Sequence, residues 1–334
     1  MSHEVSTPTD SVSYDLPEGD LGILVGFDGS ANSVRALEYG ARLALRRKTK
    51  LTVVMTYKVP VNFYATYAAI PAVPEYEYRR RDAEQTLDRA RELLEDFPGV
   101  SAVATVEGDS VGALAKITER AQTVIVGARG RGGFLGRVLG SVAAALPAHA
   151  KCPTIVIPGD EDEAEPLSAL DLDPRPNEAP VFAGVDGSQL SRIAALAAAE
   201  IASEAETALS LVTALHPLDE SILWYGGASA AIPEVTHQMR QELADHLDAE
   251  VAWVKRHFPD LQVEGSVRVG QPDQVLEEAS HRGQLTVVGC RGRGGLRSAL
   301  LGSTSRSLLH HMAGPVMVVP QLADDRVEDE PETR

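Results

Sequence analysis

Two glycine spacings are the part of this sequence best suited to chemistry. Gly127-x2-Gly130-x9-Gly140-Ser141 recurs as Gly289-x2-Gly292-x9-Gly302-Ser303. Each begins at the end of a β-branched run, Val124-Ile125-Val126 or Thr286-Val287-Val288, that reads as a strand. A glycine ending a strand has no Cβ, so a ligand can approach the backbone closely. Gly130, Gly132 and Gly133, like Gly292, Gly294 and Gly295, make a loop whose amides can converge on oxyanions. Gly140-Ser141-Val142 and Gly302-Ser303-Thr304 then open a helix, offering free N–H groups, hydroxyls and the positive end of the dipole. A phosphate chain fits those parts. Asp28 and Asp186 lie at the ends of the first strands, two residues after Gly26 and Gly184. If first and fourth strands are neighbours, these carboxylates face the glycine loop and can accept bonds from a ribose hydroxyl or an adenine amino group. Arg129, Arg131, Arg291 and Arg293 can pair with phosphate or serve an interface between repeats.

Ordinary explanations exist for each part alone. Glycine-rich turns commonly follow strands, and Asp28 or Ser30 could simply cap a helix beginning near Ala31. The same order of Asp, glycine loop and Gly-Ser in two places favours the phosphate reading. The motif is not a P-loop, because no Gly-Lys occurs in the chain, and no Gly-x-Gly-x-x-Gly follows either first strand.

The scaffold for these residues is written twice. Gly22-Ile23-Leu24-Val25-Gly26-Phe27-Asp28-Gly29-Ser30 matches Val181-Phe182-Ala183-Gly184-Val185-Asp186-Gly187-Ser188, and Cys152-Pro153-Thr154-Ile155-Val156-Ile157-Pro158 matches Gly314-Pro315-Val316-Met317-Val318-Val319-Pro320. Three matched landmarks in one order indicate duplication of one fold. In the first block the patterns predict strands near 22–27, 51–56, 102–107, 123–127 and 154–157, with helices near 31–47, 75–96, 110–121 and 140–149. In the second they predict strands near 181–185, 208–214, 262–268, 284–289 and 315–319, with helices near 189–203, 233–257, 271–282 and 303–312. Alternating strands and helices make a parallel, doubly wound α/β sheet of five strands in each block, covered by helices on both faces. Such sheets hold ligands where the strand order reverses. The hydrophobic last strands would be bare sheet edges unless paired, so the blocks are expected to pair through them as a pseudo-two-fold unit.

The length of 334 residues suits two domains. The boundaries expected are a flexible acidic tail over 1–20, domains over 21–158 and 181–320, an acidic linker over 159–180 and a flexible acidic tail over 321–334. The net charge of −17 is concentrated there: residues 1–20 carry −5, 158–180 carry −7 and 320–334 carry −4. These stretches are poor in periodic apolar residues and cannot bury enough surface to offset ordering entropy. The first block itself is net positive and the second net negative, so docking of the two is compatible with their charge. Overall acidity argues against a nucleic-acid or anionic-lipid partner. The N-terminus lacks the basic region of a signal peptide, no apolar run is long enough for a membrane span, and a cytoplasmic protein is expected. Two cysteines, Cys152 and Cys290, make no disulfide framework. No His/Cys/Asp cluster has metal-ligand spacing, and the adjacent His310 and His311 would point to different faces of a helix. Cys290 reads as a small buried residue. Arg79-Arg80-Arg81 reads as a solvated face, and the aromatic residues Tyr57, Phe63, Tyr64, Tyr67, Trp224 and Tyr225 read as packing or as covers of a ligand.

With the two motifs and the strand-end aspartates in view, the chain resembles a tandem universal stress protein of the ATP-binding subclass, over nearly all of both blocks. The resemblance implies strand order 3-2-1-4-5, an adenine-nucleotide site in each block and a role in stress or growth regulation. It also implies site residues. Asp28 and Asp186 contact the adenosine part, and Thr56 and Ala214 stand where second-strand backbone meets adenine. Gly127, Gly130, Arg131, Gly132 and Gly133 surround ribose and phosphates, as do Gly289, Gly292, Arg293, Gly294 and Gly295. Gly140, Ser141 and Val142, and Gly302, Ser303 and Thr304, hold phosphate. The implied ligand is ATP, with or without Mg2+. The implied partners are the other block, an unidentified regulated protein, and room for a homodimer. Three classes of function follow: a nucleotide-dependent regulator, a slow ATPase or phosphoryl- or adenylyl-transfer enzyme, and a nucleotide-free scaffold. Within the motif the only carboxylates are Asp28 and Asp186, at the adenosine end. Catalysis would need a group to position water or an acceptor, and usually carboxylates for Mg2+, so binding without turnover is expected and no residue is assigned a catalytic role.

Overall fold

The computed structural model describes residues 16–58, 75–130, 139–159, 169–172, 178–217, 232–292, 301–329 and 331. The first block contains β1 (Gly22–Gly26), α1 (Ala31–Arg46), β2 (Leu51–Tyr57), α2 (Glu75–Leu93), β3 (Ser101–Glu107), α3 (Ser110–Ile117), β4 (Ala121–Gly127), α4 (Ser141–His149) and β5 (Thr154–Ile157). The second repeats the order as β6 (Val181–Gly184), α5 (Gln189–Glu204), β7 (Leu209–Leu215), α6 (Ile232–His257), β8 (Val263–Val269), α7 (Pro272–Arg282), β9 (Leu285–Gly289), α8 (Ser303–His311) and β10 (Val316–Val319).

Local chemistry explains the elements. α1 starts where the Ser30 hydroxyl accepts from Ser33 N at 3.2 Å, and α5 where Ser188 accepts from Ser191 N at 3.2 Å. The capping role that could have fallen to Asp28 belongs to Ser30. Ala36, Gly40, Leu43 and Ala44 of α1 are buried on the face expected from their spacing, with Tyr39 half-buried beside them. β1 is entered through Gly22 at φ +62, where a Cβ would lie 2.1 Å from Lys50 O. Only glycine allows that turn. Arg79, Arg80 and Arg81 are exposed on α2 as expected.

All ten strands form one sheet, in the order β3-β2-β1-β4-β5-β10-β9-β6-β7-β8. Each half is the doubly wound 3-2-1-4-5 arrangement, parallel throughout. The halves meet where β5 runs antiparallel to β10, with Val156 opposite Val316, Ile155 opposite Met317 and Thr154 opposite Val318. The two hydrophobic edges thus cover each other within one chain. Alternation along these strands sends Ile155, Ile157, Met317 and Val319 into the core under α1 and α5, and Val156, Val316 and Val318 into the core on the opposite face. Both cores therefore run unbroken across the seam. Beside it, Arg47 at the end of α1 donates to both carboxylate oxygens of Glu204 in α5 at 3.0 Å. Tyr39, half-buried beside this joint, has its hydroxyl pKa pushed up to about 12 by desolvation.

The charged stretches outside the blocks are more engaged than their composition suggests. Arg120 donates to Gly19 O at 2.9 Å, Leu16 packs on the core, and Arg42 donates to Asp171 O at 2.7 Å. The described part of the C-terminal stretch, expected as flexible tail, instead docks on the second block. A short 3-10 turn over Asp325–Glu328 buries Val327, while Arg326 bonds Glu200 at 2.8 Å and Asp324 at 2.7 Å and lies over the Phe258 ring at 5.8 Å. Val327, a partly buried Leu322 and a local arginine fork anchor it. Truncation after Gln321 is expected to cost about 2 kcal/mol from Val327 burial, whereas Arg326→Ala should cost about 1 kcal/mol or less at this half-exposed site. Arg326 lowers the pKa of Asp324 chiefly by hydrogen bonding. The pair therefore stabilises the fold above the ordinary carboxyl value and ceases to as pH falls through the lowered one. Chemical denaturation of the three chains at neutral and acid pH measures this, and equal midpoints at neutral pH would show that the docked turn adds nothing.

Candidate functional site

The same clamp shapes the glycine loop in both blocks. In the first, Ala128 N donates to Ile157 O at 2.8 Å while Ala128 O accepts from Gly140 N at 2.8 Å. In the second, Cys290 N donates to Val319 O at 2.8 Å and Cys290 O accepts from Gly302 N at 2.8 Å. The residue after the fourth strand thus ties both ends of the loop together beside the last strand. Gly140 and Gly302 then become the N-caps of α4 and α8, with no side-chain hydrogen bond to the first turn. The leading amides of these helices are left for another acceptor, and the positive dipole end adds to their pull on an anion.

The strand-end aspartates face these loops as expected. β1 pairs with β4, and β6 with β9. A Cβ on Gly130 would lie 2.5 Å from Asp28 Oδ2, and one on Gly292 would lie 2.5 Å from Asp186 Oδ2. The other carboxylate oxygen braces the turn after the strand: Asp28 Oδ1 accepts from Ser30 N at 3.0 Å, and Asp186 Oδ1 from Ser188 N at 3.0 Å.

The glycines at the strand ends have a reason the spacing did not reveal. A Cβ on Gly127 would come within 2.7 Å of Asn32 C and Cβ, and one on Gly289 within 3.2 Å of Leu190 O. The close approach at these positions is made by the first turn of α1 or α5, which packs directly on the end of the fourth strand. In the first block Asn32 Nδ2 also donates to Arg129 O at 3.2 Å.

In the second block the expected residues converge on a cavity of about 860 Å³. Gly184, Asp186, Ala214, Gly289, Arg291 and Gly292 line it from the carboxyl ends of β6, β7 and β9. Gly302, Ser303 and Thr304 line it from the start of α8. This volume lies in the range of small-molecule sites. In the first block Gly26 ends β1 against Val126, and Thr56 on β2 donates its hydroxyl to Ser110 Oγ at 2.7 Å. Gly127, Gly130, Gly140, Ser141 and Val142 hold the positions of their second-block counterparts on β4, the loop and α4. Arg129 turns its guanidinium toward Gly159, where a Cβ would meet Nη2 at 3.0 Å. Arg131, Gly132, Gly133, Arg293, Gly294 and Gly295 lie outside the described residues, as do Phe63, Tyr64, Tyr67, Trp224 and Tyr225.

Neither cysteine is placed for nucleophilic chemistry. Cys152 and Cys290 are buried and unbridged, and desolvation raises both thiols, Cys152 to about 12. His310 and His311 are exposed on α8, and among the described residues no cluster of three His, Cys, Asp or Glu could hold a metal ion. Nor is any helix of the described residues long and apolar enough to cross a membrane.

Sequence reasoning missed one polar group of the second cavity. Arg192 in α5 donates to Glu250 Oε1 in α6 at 3.0 Å, and both residues line the cavity with His246. Burial raises the Glu250 pKa, against the lowering effect of the Arg192 hydrogen bond and charge. Glu250 follows Leu247 and precedes Val254 on the buried face of α6. A lone acid on an apolar helical face was the available signal.

An open, doubly wound sheet with a clamped glycine loop and an uncapped helix start at its strand-order reversal defines a nucleotide-binding-capable α/β protein. The chain belongs to the universal stress protein family, whose model matches residues 22–158 and 180–320. It is 32% identical over 311 residues to universal stress protein Rv2005c of Mycobacterium tuberculosis, covering 91% of this chain and 99% of that one. It is 33% identical over 304 residues to Rv2623 of the same organism, covering 89% and 96%. A crystal structure of a universal stress protein from Archaeoglobus fulgidus shares the fold at 18% identity and TM-score 0.60, covering 91% of this chain and 97% of that chain.

Proposed function

We propose that this protein is a nucleotide-dependent regulator that binds one ATP in each block, with or without Mg2+, and acts by binding rather than turnover. The observation that carries the reading is the second-block cavity, where Asp186, the loop glycines and the uncapped start of α8 share one lining. Phosphates fit the helix start, and the ribose fits the carboxylate opposite the loop. The first block repeats the clamp and the Asp–glycine opposition, which supports a site there too. The regulated partner is a protein or a second copy of the chain, and a cytoplasmic setting is consistent with an adenine-nucleotide ligand.

Mass spectrometry of ligand released from purified protein, with the number bound per chain, tests the reading. Intact ATP at up to two per chain is expected. Gly140→Asp or Gly302→Asp is expected to weaken binding in its own block at least tenfold while leaving folding intact. An aspartate N-cap satisfies the helix start and sets a negative charge where phosphate would sit. Rapid ADP formation that vanishes in these variants would make the protein an enzyme, and no nucleotide at all would make it a scaffold.

A further inference from the structure

The stretch that follows β10 does two things at once. Its 3-10 turn anchors it on the second block, through Val327 in the core and Arg326 on Glu200 of α5. Just past that turn, Pro331 lines the second cavity, together with Arg291 and with Gly302, Ser303 and Thr304 at the start of α8. A cavity that Arg192 lines from the first turn of α5 thus takes part of its wall from beyond the last strand. The reach is sufficient. On α5 the rise from Arg192 to Glu200 is about 12 Å, and the chain from Arg326 to Pro331 can span about 17 Å. Glu328 and Asp329 are exposed on this path, and chain connectivity keeps their backbone within about 10 Å of Pro331. That is about one Debye length at moderate ionic strength, so a polyanion in the cavity feels their charge. The first block is built differently. The offset that aligns Asp28 with Asp186 places Arg42 opposite Glu200, and the core residue Val34 opposite Arg192. Arg42 also holds the stretch after its block's last strand, donating to Asp171 O at 2.7 Å. That stretch then continues into β6, whereas its counterpart in the second block is held by one short turn beside the cavity.

We propose that residues 322–329, with Pro331, form an autoinhibitory strap on the second nucleotide site. This inference rests on the nucleotide reading above. The start of α8 favours an anion through its amides and dipole. The docked strap sets Glu328 and Asp329 near that site and Pro331 in its wall, so like charge opposes the phosphates. Its anchor is small: one buried valine, a partly buried leucine and an arginine whose ion pair with Glu200 is partly exposed. A partner that captures the strap therefore opens the site, because apparent affinity follows the fraction of chains in which the site is competent. The first block, whose own trailing stretch is carried on into the sheet, keeps its affinity throughout.

The probes are ATP and adenosine, which differ by the charged triphosphate. Both are titrated calorimetrically into full-length chain carrying Gly140→Asp, so that the second block is read alone. Adding Val327→Asp sets a charge where a core side chain sits and so frees the strap. ATP is then expected to bind about tenfold more tightly, and adenosine to gain much less. Glu328→Gln with Asp329→Asn keeps the anchor and removes the charge. This second variant should strengthen ATP binding severalfold at low salt, with the gain fading at high salt. ATP affinity that is unchanged or lower in either variant would show that the segment completes the site instead of guarding it, and would overturn the inference. Equal gains for ATP and adenosine would overturn it too, because a neutral ligand does not sense the carboxylates. Failure of both probes to bind any of these chains would overturn the nucleotide reading of the second block, and the inference with it.

Discussion

Replacing Gly127 with leucine is expected to abolish nucleotide binding in the first block and reduce the bound ligand from two per chain to one. The reason is backbone, not side chain. Any Cβ at position 127 would stand 2.7 Å from Asn32 C and 2.8 Å from Asn32 O. Those atoms belong to the first turn of α1 and cannot rotate away, so either the helix or the end of β4 must move. Overpacking of this kind costs about 1–3 kcal/mol, and the strain falls on the residue next to the clamp at Ala128. Gly289→Leu should do the same in the second block, but alanine separates the two positions. Gly289 has 3.1 Å to Arg291 O as its nearest contact, so Gly289→Ala should be tolerated far better than Gly127→Ala. Calorimetric stoichiometry and thermal midpoints of the four variants check the ordering. Two full sites in Gly127→Leu would mean that the loop after β4 does not shape a site.

The second large effect is expected at the seam. Met317 is 1% exposed and Ile155 fully buried, paired across the antiparallel strands. Met317→Asp would bury an uncompensated carboxylate in the core that both blocks share, at a cost of several kcal/mol. The blocks should part there, because β5 and β10 supply the only strand pairing between them among the described residues. Parting exposes two hydrophobic edges, so the variant should show earlier unfolding, self-association and faster proteolysis between the blocks. Met317→Leu, close in volume and still apolar, should change stability by less than about 1.5 kcal/mol. Equal denaturation midpoints for the aspartate and leucine variants would show that the seam does not hold the blocks together.

The fold was legible because its signals are repeated and local. Strands such as Val124-Ile125-Val126 are continuous β-branched runs, as buried parallel strands must be, and Ser30 and Ser188 mark helix starts at matched positions. The seam was legible for a different reason: Thr154–Ile157 and Val316–Val319 are too hydrophobic to be left as edges. What escaped depends on contacts between segments distant in sequence. The docking of Val327 could not be read from an acidic stretch whose apolar contacts with the core come from Val327 and a partly buried Leu322. The packing of Asn32 against Gly127 gives that glycine a purpose that spacing alone assigned to a ligand. Glu250 was hidden for the converse reason, as one of five acids in a helix that reads as amphipathic throughout. Landmarks shared by the two blocks announce the site; the difference between the blocks, Arg192 with Glu250 against Val34, shows only when the helices are packed.

The antiparallel joint has a geometrical result for the whole molecule. Parallel strands within a block end together, and their carboxyl ends carry the glycine loop. Because β5 and β10 run in opposite directions, the carboxyl ends of one block point to one margin of the common sheet and those of the other to the opposite margin. The two crevices therefore open back to back. A partner that covers one mouth leaves the other accessible, so a single chain can stand between two partners at once. If each block holds a nucleotide as proposed, any communication between them must pass along the strands and their shared cores, not through a direct meeting of the ligands.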